Sequence, residues 1–238
     1  MRHIELRPDQ ECVTMLKKAR RKREEWEDLS TDPKRGPLLR QRKADEQGGL
    51  CGYCECRLTE ADGTLRRGCS QLDHVQPRHP FEDLIFEWDN LILSCPCKEH
   101  CDHHKGNEVG IIDPHKEDPR KFITFALDEL RRPHKVSAVA RLGLDDTSKN
   151  RANHTINVLA LDAQDLQRKR YERYCSLNAP QRLKDLMEGV EGDEILMPLA
   201  REEAMSLLEE IEEGEFPSAM LSLSHELLSL LMGEEASD

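Results

Sequence analysis

The chain has 238 residues, 34% of them charged and only 4% aromatic, a composition that argues against a β-sandwich and favours helices around a small irregular element. It holds no run of 18 apolar residues that could span a membrane, and its N-terminus lacks the apolar core of a secretory signal, so we expect a cytoplasmic protein with no membrane partner. The formal net charge of −12 would disfavour a nucleic-acid partner, but residues 185–238 hold 16 acidic residues against one basic residue, which leaves residues 1–184 at +3.

Two basic helices are predicted in residues 1–48, the first domain. Apolar residues recur at helical spacing through residues 9–29, with the basic run KKARRKR between them. A second helix is predicted over residues 37–47 and ends at a Gly-Gly pair. The basic faces of these helices fit either a solvated surface or one that tracks phosphates, and the sequence leaves both interpretations open.

Residues 49–115 form a loop-rich second region, and seven of the nine cysteines fall between positions 51 and 101. In a reducing compartment such clustering favours metal ligation over disulfides. Short strands are expected at residues 72–75 and 91–94, with a helix starting near Cys101. A CxxC pair followed by a second cysteine group predicts a structural zinc ion held by four thiolates. The preferred ligands are Cys51, Cys54, Cys95 and Cys101, with Cys56 and Cys97 as alternatives because the spacing from Cys95 to Cys101 is wide.

The remaining chain predicts further helices. Residues 116–184 are expected to form a helical extension, with a polar linker around residues 144–153. Residues 185–238 are expected to form an acidic helical region, in which each helix opens near a proline and closes near a glycine. The last helix is rich in leucine, so it packs either on the chain's own core or on a partner protein. The acidic segment could also cover the basic N-terminal surface.

Three short motifs around the cysteines carry the chemistry. DHVQP begins at Asp73, WDNL contains Asn90, and CDHHK begins at Cys101. Zinc held by four thiolates has no open coordination position, so catalysis must come from the residues between the cysteine pairs. His74, with an ordinary pKa of about 6.5, is the natural general base for activating a water.

In this order the motifs resemble those of the HNH endonuclease family. The resemblance implies an α+β fold in which a zinc-stapled ββα-metal core, of the HNH or His-Me finger type, is embedded in a mostly helical chain. It implies His74, Asn90 and Asp73 as catalytic residues, with Asn90 orienting the loop around the base. It also implies hydrolysis of a phosphodiester, which needs a hard cation, Mg²⁺ or Mn²⁺. Asp73 and Asp102 would hold this catalytic ion. His103 is a further candidate ligand, because Asp102 stands where the family usually has Asn or His.

Longer segments extend the resemblance over roughly residues 45–175. EWDNLILSC, IIDPHKEDPRKFITF and HTINVLALDAQDLQRKR are similar to segments of the HNH nucleases of retron-associated and Septu-type anti-phage systems, the PtuB group. This resemblance implies an effector nuclease that acts on DNA or tRNA together with an ABC/SMC-like ATPase partner of the PtuA type. The alternative is a catalytically inactive zinc-knuckle adaptor that binds nucleic acid or a partner protein. The joint occurrence of Asp73, His74 and Asn90 favours the enzyme, since an adaptor needs only the cysteines.

Overall fold

A computed structural model describes residues 1–128, 130, 132–190 and 196–232 of the chain. The fold is α+β, as the sequence predicts, with short two-stranded sheets among many helices. Two compact units are formed, one by Met1–Ile123 and Ala140–Ala163, the other by Thr124–Val139 and Gln164–Asp238. The elements are α1 Gln10–Lys22, α2 Trp26–Ser30, α3 Arg35–Glu46, β1 Gln71–His74, β2 Leu91–Ser94, α4 Asp102–Lys105, β3 Ile123–Asp128, β4 Lys135–Ala140, α5 Asp146–Val158, α6 Gln164–Leu177, α7 Ala179–Val190, α8 Met197–Glu213 and α9 Pro217–Met232.

The first predicted helix is in fact two. The carboxylate of Asp9 caps α1 by accepting a hydrogen bond from the amide of Cys12 at 2.9 Å. The helix ends at Arg23, whose φ of 55° is left-handed, and the next amide, that of Glu24, bonds the carbonyl of Ala19 at 3.1 Å. The periodic pattern runs on through α2 because Trp26 is buried in the same core, so periodicity alone does not reveal the break.

Helices α1 to α3 pack against the β1–β2 sheet in the first unit. Their shared core contains Cys12, Leu16, Ala19, Trp26, Leu29, Leu39, Trp88 and Leu91. Gln47, at the end of α3, joins this helix to β2, because its side chain both accepts from the amide of Leu93 at 2.7 Å and donates to the carbonyl of Leu93 at 2.9 Å. The sheet therefore has a fixed position against the helices that precede it.

Strand β2 coincides with its prediction, and β1 begins and ends one residue before the predicted 72–75. They pair antiparallel, with Asp73 opposite Ile92 and His74 opposite Leu91. All four residues of β2 are buried, the three apolar residues Leu91, Ile92 and Leu93 and also Ser94. Helix α4 has four residues and follows Cys101 directly. Residues 144–153, for which a polar linker is predicted, mostly belong to α5 instead, because Asp145 caps a helix there by accepting from the amide of Ser148 at 3.0 Å.

The second unit begins with strands that the sequence reading missed. Residues 116–184 were expected to be helical, but β3 and β4 form a two-stranded sheet there. Burial largely alternates along both strands, the period-two pattern of a half-buried sheet. Helix α9 packs on α7 and α8, and its residues Ala219 and Met220 are buried. The Leu230 and Leu231 side chains, and residues 191–195 and 233–238 of the predicted acidic region, lie outside the described residues. In the described part of the chain, no helix is long and apolar enough to cross a bilayer.

Candidate metal centre and active site

A tight turn presents the first two cysteines of the candidate metal centre. The amide of Cys51 donates to the carbonyl of Cys56 at 2.9 Å, and the amide of Gly52 donates to the carbonyl of Leu93 at 2.9 Å. This second bond brings the turn so close to β2 that a Cβ on Gly52 would lie 2.4 Å from Ile92 Cδ1. A larger residue at position 52 would have to displace the buried Ile92 side chain, so the close approach favours glycine there.

The four predicted zinc ligands converge at this turn. The sulfurs of Cys51 and Cys101 are 3.8 Å apart, as are those of Cys54 and Cys95, and every other pair among the four lies within 4.8 Å. Four sulfurs placed about 2.3 Å from a tetrahedral zinc ion would be about 3.8 Å from one another. The amide of Cys95 also donates to Cys51 Sγ at 3.3 Å, a bond that stabilises a thiolate. The cluster could therefore hold zinc.

The cluster offers more donor atoms than one zinc ion needs. Cys56 Sγ lies 3.3 Å from Cys54 Sγ and belongs to the same group of possible ligands. His100, to which the sequence gave no role, is fully buried, with Nδ1 3.1 Å from Cys101 Sγ and 3.7 Å from Cys95 Sγ. The one indication of a ligand role in the sequence is that His100 directly precedes Cys101. Cys97, an alternative ligand by spacing, is not grouped with the other cysteines, and its thiol bonds Glu99 at 3.3 Å.

The thiols of this cluster differ in their acidity: burial raises the pKa of Cys54 and Cys101 well above the ordinary value, whereas the pKa values of Cys95 and Cys51 are lowered. Bonds from Cys101, Cys51 and Cys54 lower the pKa of Cys95, whereas its burial opposes the shift. Burial likewise raises the pKa of Cys51, but bonds from Cys101 and Cys54 outweigh this effect and lower it. Because metal ions bind the deprotonated sulfur, the cluster is suited to a thiophilic cation such as Zn²⁺.

Strand β1 carries the predicted carboxylate ligand toward α4. Asp73 is buried, and its Oδ2 accepts hydrogen bonds from Tyr53 Oη at 2.6 Å and from Lys105 Nζ at 3.1 Å. The Lys105 ammonium is itself buried and also donates to the carbonyl of His74 at 2.9 Å. Asp102, the first residue of α4, accepts a short hydrogen bond from Gln71 of β1. Both predicted carboxylates thus lie between β1 and α4.

Burial raises the pKa of Asp73 to about 6; the cation of Lys105 opposes this shift, and the charge of Asp102 adds to it. The two carboxylates are therefore close enough to repel one another, and a divalent cation would relieve that repulsion. His103 is exposed. Among the described residues, Asp73, Asp102 and His103 do not form a group whose ligand atoms all lie within 4.8 Å of one another. The structure thus places Asp73 beside Asp102 without bringing in His103.

His74 lies in a different environment from Asp73, because successive residues of a strand point to opposite faces. Its Nε2 is 3.0 Å from the carbonyl of Ile85, and its ring meets that of Trp26 edge to face with centroids 4.5 Å apart. A carbonyl can only accept a hydrogen bond, so Nε2 carries the proton and Nδ1 is the basic nitrogen. Burial lowers the pKa of His74 to about 4, so the ring is neutral near pH 7.

Asn90 ties together the loop that holds His74 in place. Its Oδ1 accepts from the amide of Gln76 at 2.8 Å. Its Nδ2 donates to the carbonyls of Gln76 at 3.0 Å and Leu84 at 3.2 Å. Leu84 directly precedes Ile85, whose carbonyl accepts the hydrogen bond of His74. The Asn90 side chain therefore holds both ends of residues 76–84, the segment between His74 and the carbonyl that orients its ring. The middle Asn of the motif therefore contacts backbone.

A buried charged network supports the turn that carries Asn90. Trp88 Nε1 donates to Glu46 Oε2 at 2.8 Å, and Lys43 Nζ pairs with Glu46 Oε1 at 2.6 Å. On the other side of the turn, His115 Nδ1 donates to the carbonyl of Asp89 at 2.8 Å. Burial, and then the charge of Lys43, lower the pKa of His115. The sequence reading gave His115 no role, and its importance depends on contacts far apart in the chain.

Comparisons with known proteins agree with part of the resemblance. No family model matches the chain. The Septu protein PtuB of Bacillus thuringiensis is 27% identical over 88 residues, which cover 37% of this chain and 32% of PtuB. The chain thus matches about a third of the length of this curated relative. The similarity supports a relation to the Septu group.

Proposed function

We propose that the chain is a metal-dependent HNH endonuclease that hydrolyses phosphodiester bonds of nucleic acid. The observation that carries the proposal is the orientation of His74: a neutral imidazole at the end of β1, held by one carbonyl, with its loop tied by Asn90. The neighbouring residue in the strand, Asp73, lies beside Asp102 of the helix that follows the cysteine cluster. The proposed base and one proposed metal ligand are thus consecutive residues of β1, and the second proposed ligand is the first residue of α4.

In the proposed reaction, His74 Nδ1 accepts the proton of the attacking water. The ring can do so near pH 7 because its pKa of about 4 leaves it unprotonated, although this low value also makes it a weak base. Nε2–H remains on the Ile85 carbonyl throughout, which keeps the ring from rotating. Asn90 acts as a positioning residue, since its hydrogen bonds go to backbone atoms.

Asp73 and Asp102 would hold the catalytic Mg²⁺ or Mn²⁺. Both side chains offer carboxylate oxygens, the ligands that hard divalent cations prefer. The charge of Asp102 contributes to the raised pKa of Asp73, and a bound cation would offset this repulsion. When bound, such an ion would stabilise the negative charge that develops on the phosphate. Lys105 keeps Asp73 in place by contacting both its carboxylate and the carbonyl of His74. The zinc held by the cysteines would be structural.

The experiment is a cleavage assay on the purified full-length protein. Supercoiled DNA and tRNA are incubated with wild type and with His74→Ala, in the presence of Mg²⁺ or Mn²⁺ and with or without the ATPase partner. The matched control is His79→Ala, which removes an exposed histidine five residues further along the chain. Zinc content is measured on every sample to show that the cluster has formed.

We expect wild type and His79→Ala to cleave at least one substrate, and His74→Ala to lose about 100-fold or more of the rate, the range that a general base contributes. Equal rates for wild type and His74→Ala at equal zinc content would refute the nuclease proposal. The same result would favour the adaptor described below.

The setting that we propose is Septu-type anti-phage defence in the cytoplasm, with an ABC/SMC-like ATPase of the PtuA type as partner. It rests on the similarity to the Septu protein PtuB, which covers 37% of the chain. Co-expression with such an ATPase, followed by affinity capture of either protein, tests the partner. Failure to recover a complex would remove the partner while leaving the nuclease assay unaffected.

A zinc-knuckle adaptor without catalytic activity is the second candidate. The observation in its favour is that Asp73 Oδ2 already accepts hydrogen bonds from Tyr53 and Lys105, and that His103 does not join the two carboxylates in a compact ligand group. An adaptor would bind its partner equally well with His74→Ala and with Asp73→Asn. Zinc removal, in contrast, would abolish that binding.

A further inference from the structure

The exposed side of α1 carries a row of cations that the candidate active site does not use. Lys17, Lys18, Arg21 and Lys22 are all exposed. In the part of the chain that the structure describes, none of these four forms an ion pair with an acidic residue. At about 100° of rotation per residue, the four fall within an arc of about 140°. Their arc is centred about 160° from the buried face of the helix, which holds Cys12, Leu16 and Ala19.

The helix itself does not account for this row. Cations in the last turn interact favourably with the helix dipole, which explains Arg21 and Lys22, but Lys17 and Lys18 lie a turn earlier. Like charges four residues apart, as in Lys17 with Arg21 and Lys18 with Lys22, destabilise a helix by about 0.2–0.5 kcal/mol per pair. The row therefore costs stability in the free protein, which an anionic ligand would reverse.

Helix α1 separates this row from the candidate active site and connects the two at its C-terminal end. The buried face of α1 shares its core with Trp26, whose ring contacts that of His74. At the end of the helix, Arg20 forms an ion pair with Glu87, which lies in the loop whose Ile85 carbonyl orients His74. The row is on the opposite side of α1 from Trp26, so a polymer bound along it would reach the loop that positions the proposed base by way of Arg20 at the end of the helix.

We propose that this basic face of α1, formed by Lys17, Lys18, Arg21 and Lys22, is the surface that binds the phosphate backbone of the nucleic-acid substrate. This inference rests on the proposed function for its choice of ligand. A membrane surface fits less well, because the apolar face of α1 is buried in the core and is not available for insertion between lipids. A protein partner also fits less well, since the centres of protein interfaces are depleted in lysine.

The test measures binding separately from cleavage. Fluorescence anisotropy is recorded with duplex DNA and with single-stranded RNA over a series of salt concentrations and without added divalent cation. Wild type is compared with a variant in which Lys17, Lys18, Arg21 and Lys22 are replaced by Gln. The matched control replaces Lys34, Arg67, Lys121 and Lys149 by Gln, which removes the same charge from exposed positions elsewhere in the first unit.

We expect the α1 variant to bind at least tenfold more weakly than wild type, and the control variant to change by less than about threefold. For duplex DNA, the slope of log K against log salt should become shallower by about 3.6 if each of the four cations neutralises one phosphate. Zinc content and circular dichroism should stay as in wild type, because the buried face of α1 is unchanged.

Three results would overturn the inference: no binding by wild type, equal binding by wild type and the α1 variant, or equal losses in the two variants. Vesicles with and without phosphatidylserine serve as a further arm, and α1-dependent binding to vesicles without α1-dependent binding to nucleic acid would also overturn it. These failures differ from failure of the proposed function. A protein that cleaves only with His74 intact but binds independently of α1 keeps the nuclease proposal and loses this one.

Discussion

Replacement of Asn90 by alanine tests the link between the central turn and the proposed base. The Asn90 side chain is buried and makes three hydrogen bonds to backbone atoms, at 2.8, 3.0 and 3.2 Å. Each bond contributes about 1 kcal/mol, and each buried partner left unsatisfied costs about 1–3 kcal/mol. These terms overlap, so we expect Asn90→Ala to lower the free energy of unfolding by about 3 kcal/mol.

The assay for stability is urea unfolding followed by tryptophan fluorescence. Both tryptophans of the chain, Trp26 and Trp88, lie in the first unit, so the signal reports the unit that contains Asn90. Asn150→Ala is the control, because Asn150 is exposed on α5, and it should shift stability by less than about 0.5 kcal/mol. Cleavage of the nucleic-acid substrates is measured in parallel without urea.

The functional effect of Asn90→Ala should exceed its effect on folding. Loss of the bonds to Gln76 and Leu84 frees the segment that ends at the Ile85 carbonyl, and a shift of about 1 Å in a catalytic group can cost about 100-fold in rate. We expect kcat to fall with little change in KM. A stability loss below about 1 kcal/mol, or an unchanged kcat in a folded variant, would refute this account of Asn90.

Three further predictions concern the metal centre and the charged network. Cys54→Ser should lose most of the roughly one zinc ion per chain found in wild type, whereas Cys97→Ser should retain it; equal zinc content by metal analysis would contradict the ligand set. His115 has a lowered pKa in the folded chain, so the unfolded chain takes up the proton first, and stability should fall as pH drops below about 6.5. Urea unfolding of His115→Asn at pH 7 and pH 5 should show a smaller loss of unfolding free energy between the two pH values than wild type. An equal loss in both proteins would contradict a contribution from His115. Glu46→Gln should cost about 3–5 kcal/mol by leaving Lys43 buried without its partner, and adding Lys43→Met should restore most of the loss; the pair contributes little if the single variant unfolds like wild type.

Local patterns in the sequence determined much of the candidate site. The apolar residues of LILS, followed by a serine, favour a short buried strand, and the structure places β2 at Leu91–Ser94. Proline and glycine residues predicted helices in the C-terminal region, and α8 and α9 each have a proline in the first turn, where proline is favoured. The CxxC pair and a distant second group predicted the cysteines that the fold brings together. These features depend on residues that are close in sequence or on chemistry that has few alternatives.

Other features were decided only by the tertiary structure. His100 joins the cysteine cluster because the segment between β2 and α4 folds back, and its position before Cys101 does not by itself determine that its ring turns toward the sulfurs. Trp26 meets His74, and His115 meets the turn at Asp89, through contacts between residues far apart in the chain. The sequence therefore determined which residue types could bind metal and where the central strands lie, because both depend on short segments of the chain. The protonation state and orientation of His74 were decided by burial and by one carbonyl, which exist only once the chain has folded.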